Sequence, residues 1–217
     1  VRSMLSTSLL AAAPILPLSP VTGAGLDALR EHLEAARLAR PLAEQQGLFR
    51  LAVDRSFTLA GIGTVVTGTA FAGRVAVGDK LTLTPGGREV RVRGIHAQNQ
   101  KTETGHAGQR LAINLAGVER LDVNRGDWLL TESLHMPTSR LDGRLRLLAS
   151  ESIGLAQWTA VHLHIGAEDV LARVLVLEGG ALQPGAEGLI QLELDRPIAA
   201  LHGDRFVLRD ASSQRTI

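Results

Sequence analysis

Asp54 and Arg55 stand side by side in "FRLAVDRSFTLAGIGTVVTGTAFAGRVAVGDKLTL", Phe49 to Leu83. A carboxylate beside a guanidinium lets one charge orient the other, and Arg offers a planar fork of donors matched to phosphate or carboxylate. Gly61 and Gly63 follow in "GIG". Glycines at a strand end either present backbone N–H groups to a phosphate or turn a barrel corner. His162 and His164 recur at period 2, so one strand face carries both imidazoles, a spacing that metal sites also use. No third ligand is near in sequence, and the pair reads as surface with no metal assigned. The chain has no Cys, which removes disulfides, thiolate zinc sites and thiol nucleophiles. Ser56 has no neighbouring base, and no carboxylate dyad is legible, so no catalytic residue is assigned.

The elements that must position these residues change character along the chain. In residues 1–46, "SMLSTSLLAA" suits a helix, "PILPLS" a short strand buried on both faces, and "VTGAG" a loop. In "LDALREHLEAARLA", Leu26, Leu29, Leu33 and Ala36 fall at helical spacing with charges opposite. "RPLAEQQG", Arg40 to Gly47, reads as a polar linker. After it the hydrophobic period drops from 3.6 to 2. Residues 47–137 carry short strands broken by "GIG", "TPGGRE" and "TGHAGQ", with Val90 and Val92 facing one way and Arg91 and Arg93 the other. A second all-β run fills 138–217, with strands in "RLDGRLRLLAS", "QWTAVHLHIG", "DVLARVLVLEG", "GLIQLELD" and "DRFVLRD". Many short strands at regular spacing imply closure. The expected fold is mainly β: two small antiparallel β-barrels preceded by an α/β remnant.

Composition narrows the function classes further. Of 23 basic residues only Lys80 and Lys101 are lysine, and the net charge is +1, so bulk charge does not announce nucleic acid. Aromatics make up 3%, leaving the core to Leu, Val, Ile and Ala. No apolar run approaches the roughly 20 residues a membrane-spanning helix needs, and "LLAAAPILPL", Leu9 to Leu18, is short, broken by Pro14 and Pro17, and lacks a basic segment followed by a cleavage signal, so a cytoplasmic protein without membrane contact is expected.

"SFTLAGIGTVVTGTAFAGRVAVGD", Ser56 to Asp79, resembles the second domain of the elongation factor Tu superfamily of translational GTPases. "HAQNQ" at His96, "AGQRLAINLAG" at Ala107, "NRGDWLL" at Asn124 and "GDRFVLRD" at Gly203 narrow the resemblance to the bacterial selenocysteine-specific elongation factors. The likeness implies the end of a GTP-binding domain with its linker at 1–46, a β-barrel domain two at 47–137 and a β-barrel domain three at 138–217. It makes Gly61 and Gly63 a barrel bend rather than a phosphate loop. It implies a GTPase using GTP and Mg in the full-length protein. This segment carries no "GxxxxGK[ST]", no "DxxG" and no "NKxD", so none of these ligands is expected to bind it alone. One nucleotide loop has a counterpart, "SPVTG", with Ser19 and Gly23 as its guanine-side residues. Pro20 there lacks the N–H that the family aims at guanine.

The resemblance also implies partners: selenocysteinyl-tRNA and the ribosome, with an mRNA hairpin recognised only through a C-terminal region absent from this sequence. It places the aminoacyl end of the tRNA against Asp54, Arg55 and Arg110, where two guanidiniums favour an anionic selenolate over a serine hydroxyl and Asp54 holds Arg55 or Arg110. Phe57 reads either as an adenine-stacking or as a core residue. His96, Arg205 and Arg209 are further candidates for the aminoacyl end or the RNA backbone, although Arg205 and Arg209 alternate with apolar residues as a plain solvated strand face does. The competing reading is a translational-GTPase-like module whose barrels bind ribosome or protein without aminoacyl-tRNA. Arg55 and Arg110 on one face distinguish the two.

Overall fold

The computed structural model describes residues 1–6, 10–39 and 47–217. The chain divides into two compact units, Val1–Leu42 and Ala43–Ile217. The first holds α1 (Arg2–Leu5) and α2 (Leu26–Ala39). "PILPLS" forms no strand, and its Ile15 and Leu16 are only half-buried. A buried strand needs partners for its backbone groups on both sides. Among the described residues of this unit no strand exists to pair with, and Pro14 and Pro17 remove two donors. The apolar stripe of α2 likewise has no buried residue. Of the helix expected over "SMLSTSLLAA", one turn forms at Arg2–Leu5, and residues 7–9 lie outside the described residues, as do 40–46 of the polar linker.

The second unit begins with β1 (Arg50–Leu59), β2 (Gly63–Ala72), β3 (Arg74–Ala76), β4 (Lys80–Thr84), β5 (Arg88–Ala97), β6 (Gln100–Thr102), β7 (Thr104–His106), β8 (Arg110–Ala116) and β9 (Trp128–Leu130). The antiparallel order β4-β9-β1-β2-β8-β5 closes on itself through β4–β5 pairing and forms a barrel. β6 extends β5, and β3 pairs with β7 as a separate ribbon. Alternation drives the closure: Leu51, Val53, Val66, Ile95, Leu111, Ile113 and Leu129 point inward and are fully buried. Gly61 and Gly63 both take positive φ in the β1–β2 hairpin turn, with Ile62 N–H bonded to Leu59 C=O. The chain enters β2 there and no helix follows, so these glycines turn the hairpin.

The second β layer comprises β10 (Thr138–Arg146), β11 (Leu155–Ala156), β12 (Thr159–Ile165), β13 (Glu168–Val176), β14 (Ala181–Leu182), β15 (Glu187–Ile198) and β16 (Phe206–Asp210). Five strands pair in the antiparallel order β10-β15-β13-β12-β16, and β11 pairs with β14. The sheet curls into a half-barrel over Leu163, Ala172, Val174, Ile190 and Leu192. Its five long strands are the five segments that the alternation picks out in sequence. Trp128 and Leu130 of the barrel share a small apolar cluster with Ala199 of the half-barrel, which ties the two together.

Candidate anion-binding face

A break in strand register builds the site. Val53 pairs with Gly68, but Arg55 pairs with Thr67, so Asp54 is an extra residue bulged from β1. Val53 stays buried, whereas Asp54 is half-buried and Arg55 exposed: both charged residues leave the barrel on its outer side. Gly68 permits this crowding, since a Cβ there would stand 2.0 Å from the Ala52 carbonyl oxygen. Beyond Thr67 the row runs to Ala112 on β8 and His96 on β5, while Arg110 lies opposite Thr69. Partners across antiparallel strands share a face, so Arg55, Thr67, His96 and Arg110 all look outward on one surface.

On that surface Arg110 grips Asp54 with both arms of its guanidinium. Nη2 donates to Oδ1 at 2.9 Å, and Nη1 donates to Oδ2. The Thr67 hydroxyl donates to Asp54 Oδ1 at 2.8 Å and accepts a long contact from Arg110 Nη2 at 3.4 Å. The Arg55 guanidinium has no hydrogen bond or ion pair among the described residues, although its charge acts on the neighbouring Asp54 carboxylate. Partial burial alone raises the Asp54 pKa. The hydrogen bonds from Arg110 and Thr67, with both arginine charges, outweigh that and hold the carboxyl below its ordinary value. The local balance is two guanidiniums against one carboxylate, leaving excess positive charge on an open face.

Arg55 and Arg110 stand on one face but border different clefts. Arg110 opens onto Thr67, His96, Gln98, Asn99 and Gln109. Arg55 opens onto Phe57, Arg120, Asn124 and Arg125. Of the two partners that the sequence allows Asp54, it takes Arg110. Phe57 is half-buried beside Arg55 and lies outside the barrel's core cluster, so it is not one of the core residues. Arg209 lies on the half-barrel, where it shares a cleft with Arg125, His164, Glu168 and Arg196. Arg205 is exposed in the loop before β16. The geometry brings neither Arg205 nor Arg209 to Asp54. His162 and His164 lie 6.4 Å apart between ring centres, with His162 Nδ1 2.8 Å from Asp169 Oδ1.

Thr67 and Arg125 are missing from the sequence-level site. Thr67 was visible as a polar residue in an apolar strand, but its meeting with Asp54 depends on the bulge. Arg125 borders both the Arg55 cleft and the Arg209 cleft, a position set by the turn before β9. In the first unit, Thr22 N–H bonds Ser19 Oγ at 3.3 Å and Gly23 N–H bonds Ser19 C=O at 2.9 Å. With Pro20 lacking a donor, Val21 carries the N–H of the Ser19–Gly23 loop that has no partner among the described residues.

Residues 63–130 match the family described as elongation factor Tu domain 2, and residues 142–217 match the selenocysteine-specific elongation factor, beta-barrel domain. The selenocysteine-specific elongation factor of Escherichia coli (strain K12) is 45% identical over 196 residues, covering 90% of this chain and 30% of that protein. Its namesake in Desulfomicrobium baculatum is 36% identical over 219 residues, covering 100% of this chain and 34% of the relative. The chain thus spans about a third of the length of these curated relatives. The crystal structure of translation elongation factor SelB from Methanococcus maripaludis, apo form, superposes with a TM-score of 0.82 at 25% identity, covering 96% of this chain and 49% of that one.

Proposed function

The chain belongs to the selenocysteine-specific elongation factor family, and from that premise we propose that its barrels supply the aminoacyl and tRNA-binding surface of a factor that carries selenocysteinyl-tRNA to the ribosome. The observation that carries this reading is the outer barrel face on which Arg55 and Arg110 oppose the single carboxylate of Asp54. A selenol is more acidic than a thiol, whose ordinary pKa is about 8.5, so selenocysteine is anionic at neutral pH while serine is not. A unit charge pair at contact is worth roughly 4 kcal/mol at an effective dielectric of 20. A third of that on an open face gives about tenfold discrimination.

In the same reading the whole protein uses GTP and Mg. Of the residues here, the Ser19–Gly23 loop would meet the guanine edge, through the Val21 N–H rather than the residue after Ser19. The bound nucleotide would supply the switch between tRNA-holding and tRNA-releasing states. No residue of this segment cradles its phosphates, because the glycine-rich phosphate motif is absent from the sequence.

The test is filter binding of selenocysteinyl-tRNA against the same tRNA carrying serine. It uses the whole protein with a non-hydrolysable GTP analogue at fixed salt, because phosphate contacts make affinity salt-dependent. The expected result is a preference of about tenfold or more for the selenocysteinyl form. Equal affinities would overturn the proposal.

A further inference from the structure

We propose that the joint between barrel and half-barrel carries a pH-sensitive latch: Asp127 of the barrel, while it keeps its proton, lets the turn before β9 close on Glu168 of the half-barrel, and its ionisation loosens that contact. This does not depend on the function proposed above. The ground is the burial of two carboxyls, one from each sheet, at a single contact. Asp127 is 7% exposed and Glu168 4%. The fit between their elements is close. Gly126 takes a φ of +99°, and a Cβ on it would stand 2.8 Å from Glu168 Cδ and 2.9 Å from its Oε1. The backbone of the turn therefore packs directly against the Glu168 carboxylate, with Asp127 as the next residue.

The two acids are unequally served. Glu168 accepts both arms of Arg196, at 2.5 and 3.1 Å, and the Asp169 N–H at 2.9 Å. Among the described residues Asp127 accepts only the Asn124 N–H, at 2.8 Å. One half-exposed guanidinium thus meets two buried carboxyls and pairs with one of them. A second negative charge at this contact has no cation of its own, and like charges in a poorly hydrated place repel. Burial, and then the Glu168 charge, push the Asp127 carboxyl above its ordinary value, against the Asn124 N–H and the Arg196 charge. The other charged or titratable groups here are Arg125 on the same turn, Asp169 on β13, His164 on β12 and Arg209 on β16, with His162 bound to Asp169. None of these side chains bonds Asp127 among the described residues. A carboxyl raised on folding favours the closed contact in acid, and that preference is lost as pH rises through the raised value. The Arg50–Asp204 pair holds the same two sheets together. The expected motion is therefore a local opening that widens the cleft shared by Arg125 and Arg209, without unfolding.

The experiment measures the distance between two spin labels in the whole protein, carried on encoded non-natural residues at Lys101 on β6 and Glu178 after β13, both exposed. The pH runs from about 4.5 to 8.5, above ordinary aspartate titration. In the unmutated protein the distance distribution is narrow at the acid end and broadens as pH rises. Asp127→Asn keeps an oxygen for the Asn124 N–H, carries no charge, and stays narrow throughout. Ordinary imidazoles titrate within the same range, and this variant retains His162 and His164. Broadening that persists in Asp127→Asn would therefore belong to the histidines and overturn the latch. Arg196→Gln removes a charge that holds the Asp127 value down, so its broadening moves to higher pH. A constant width in the unmutated protein, or a midpoint that Arg196→Gln leaves in place or lowers, also overturns the proposal. Far-ultraviolet circular dichroism stays unchanged across the range, and broadening that comes only with its loss is unfolding, which rejects the latch as well.

Discussion

Arg50, at the joint between barrel and half-barrel, and Arg110, on the open face, each donate two N–H groups to a single aspartate. Arg50 meets Asp204 at 2.7 Å through both arms, lies 4.0 Å from the ring centre of Trp128, and leaves 8% of its side chain exposed. Arg110 meets Asp54 with 56% of its side chain in solvent. The contact chemistry is the same and burial separates the roles. At the joint, water cannot replace a lost partner, so the pair fixes how the two sheets meet. On the face, water competes for every donor. The Arg110 pair therefore contributes little to stability and is available for holding a geometry that a ligand can use.

The largest effect expected from breaking this contrast is at Arg50. Arg50→Ala strands the Asp204 carboxylate and empties the space over Trp128, and should cost about 3–5 kcal/mol. A lower urea midpoint at unchanged slope would report it. Among molecules that remain folded, the selenocysteinyl-to-seryl ratio should not move. A changed ratio would show that joint and face are one system, and the contrast would be lost.

Gly68→Ala sharpens the contrast from the other side, because Gly68 lies in the barrel wall behind the bulge that displays Asp54. The added methyl would press on the Ala52 carbonyl oxygen and on Leu51 Cδ2, 2.7 Å away, so β1 must lift from β2. Overpacking of this kind costs about 1–3 kcal/mol. Unlike Arg50→Ala, it should also weaken binding of every aminoacyl-tRNA, since the Asp54–Arg110 pair spans the disturbed strands. Thermal unfolding and filter binding on the same preparation would separate the two effects. Full binding in a folded Gly68→Ala protein would mean the bulge does not set the face.

What the sequence reveals follows the same line. The strands are legible because alternation is local: Val90, Val92 and the five long segments of the half-barrel declare their faces within a few residues. The strand expected at "PILPLS" is not formed because a buried strand is a property of its neighbours, and no neighbour occurs among the described residues of that unit. Arg50 reads in sequence as one more outward residue of an alternating strand. Its burial depends on Asp204, 154 residues away, and on a second sheet covering that spot. Arg55 and Arg110 were legible as a pair only through family resemblance. Their inequality was not, because one bulged residue decides which arginine the carboxylate takes.

The smallest effect separates the regions by sign. Asp127, at the joint, is buried, and burial pushes its carboxyl above the ordinary value. The nearby Glu168 adds to the rise, while the Asn124 backbone N–H and Arg196 oppose it. A carboxyl raised on folding keeps its proton in the native state after the unfolded chain has lost it. Its contribution to stability is therefore greatest in acid and declines as pH rises through that window. Asp54 on the face, held low, contributes in the opposite direction: its share is present at neutral pH and is lost as pH falls. Asp127→Asn keeps an oxygen for the Asn124 N–H, which bonds the aspartate at 2.8 Å, and removes the buried charge. The variant should be more stable than the unmutated protein at pH 7 by about 1 kcal/mol or less, in the range of a single net hydrogen bond. The gap should close toward pH 4. Asp54→Asn should lose stability at pH 7 and approach the unmutated protein in acid. Urea midpoints across that range would decide it, and a gap of the same sign for both variants would mean that burial does not divide the two carboxylates as it divides the two arginines.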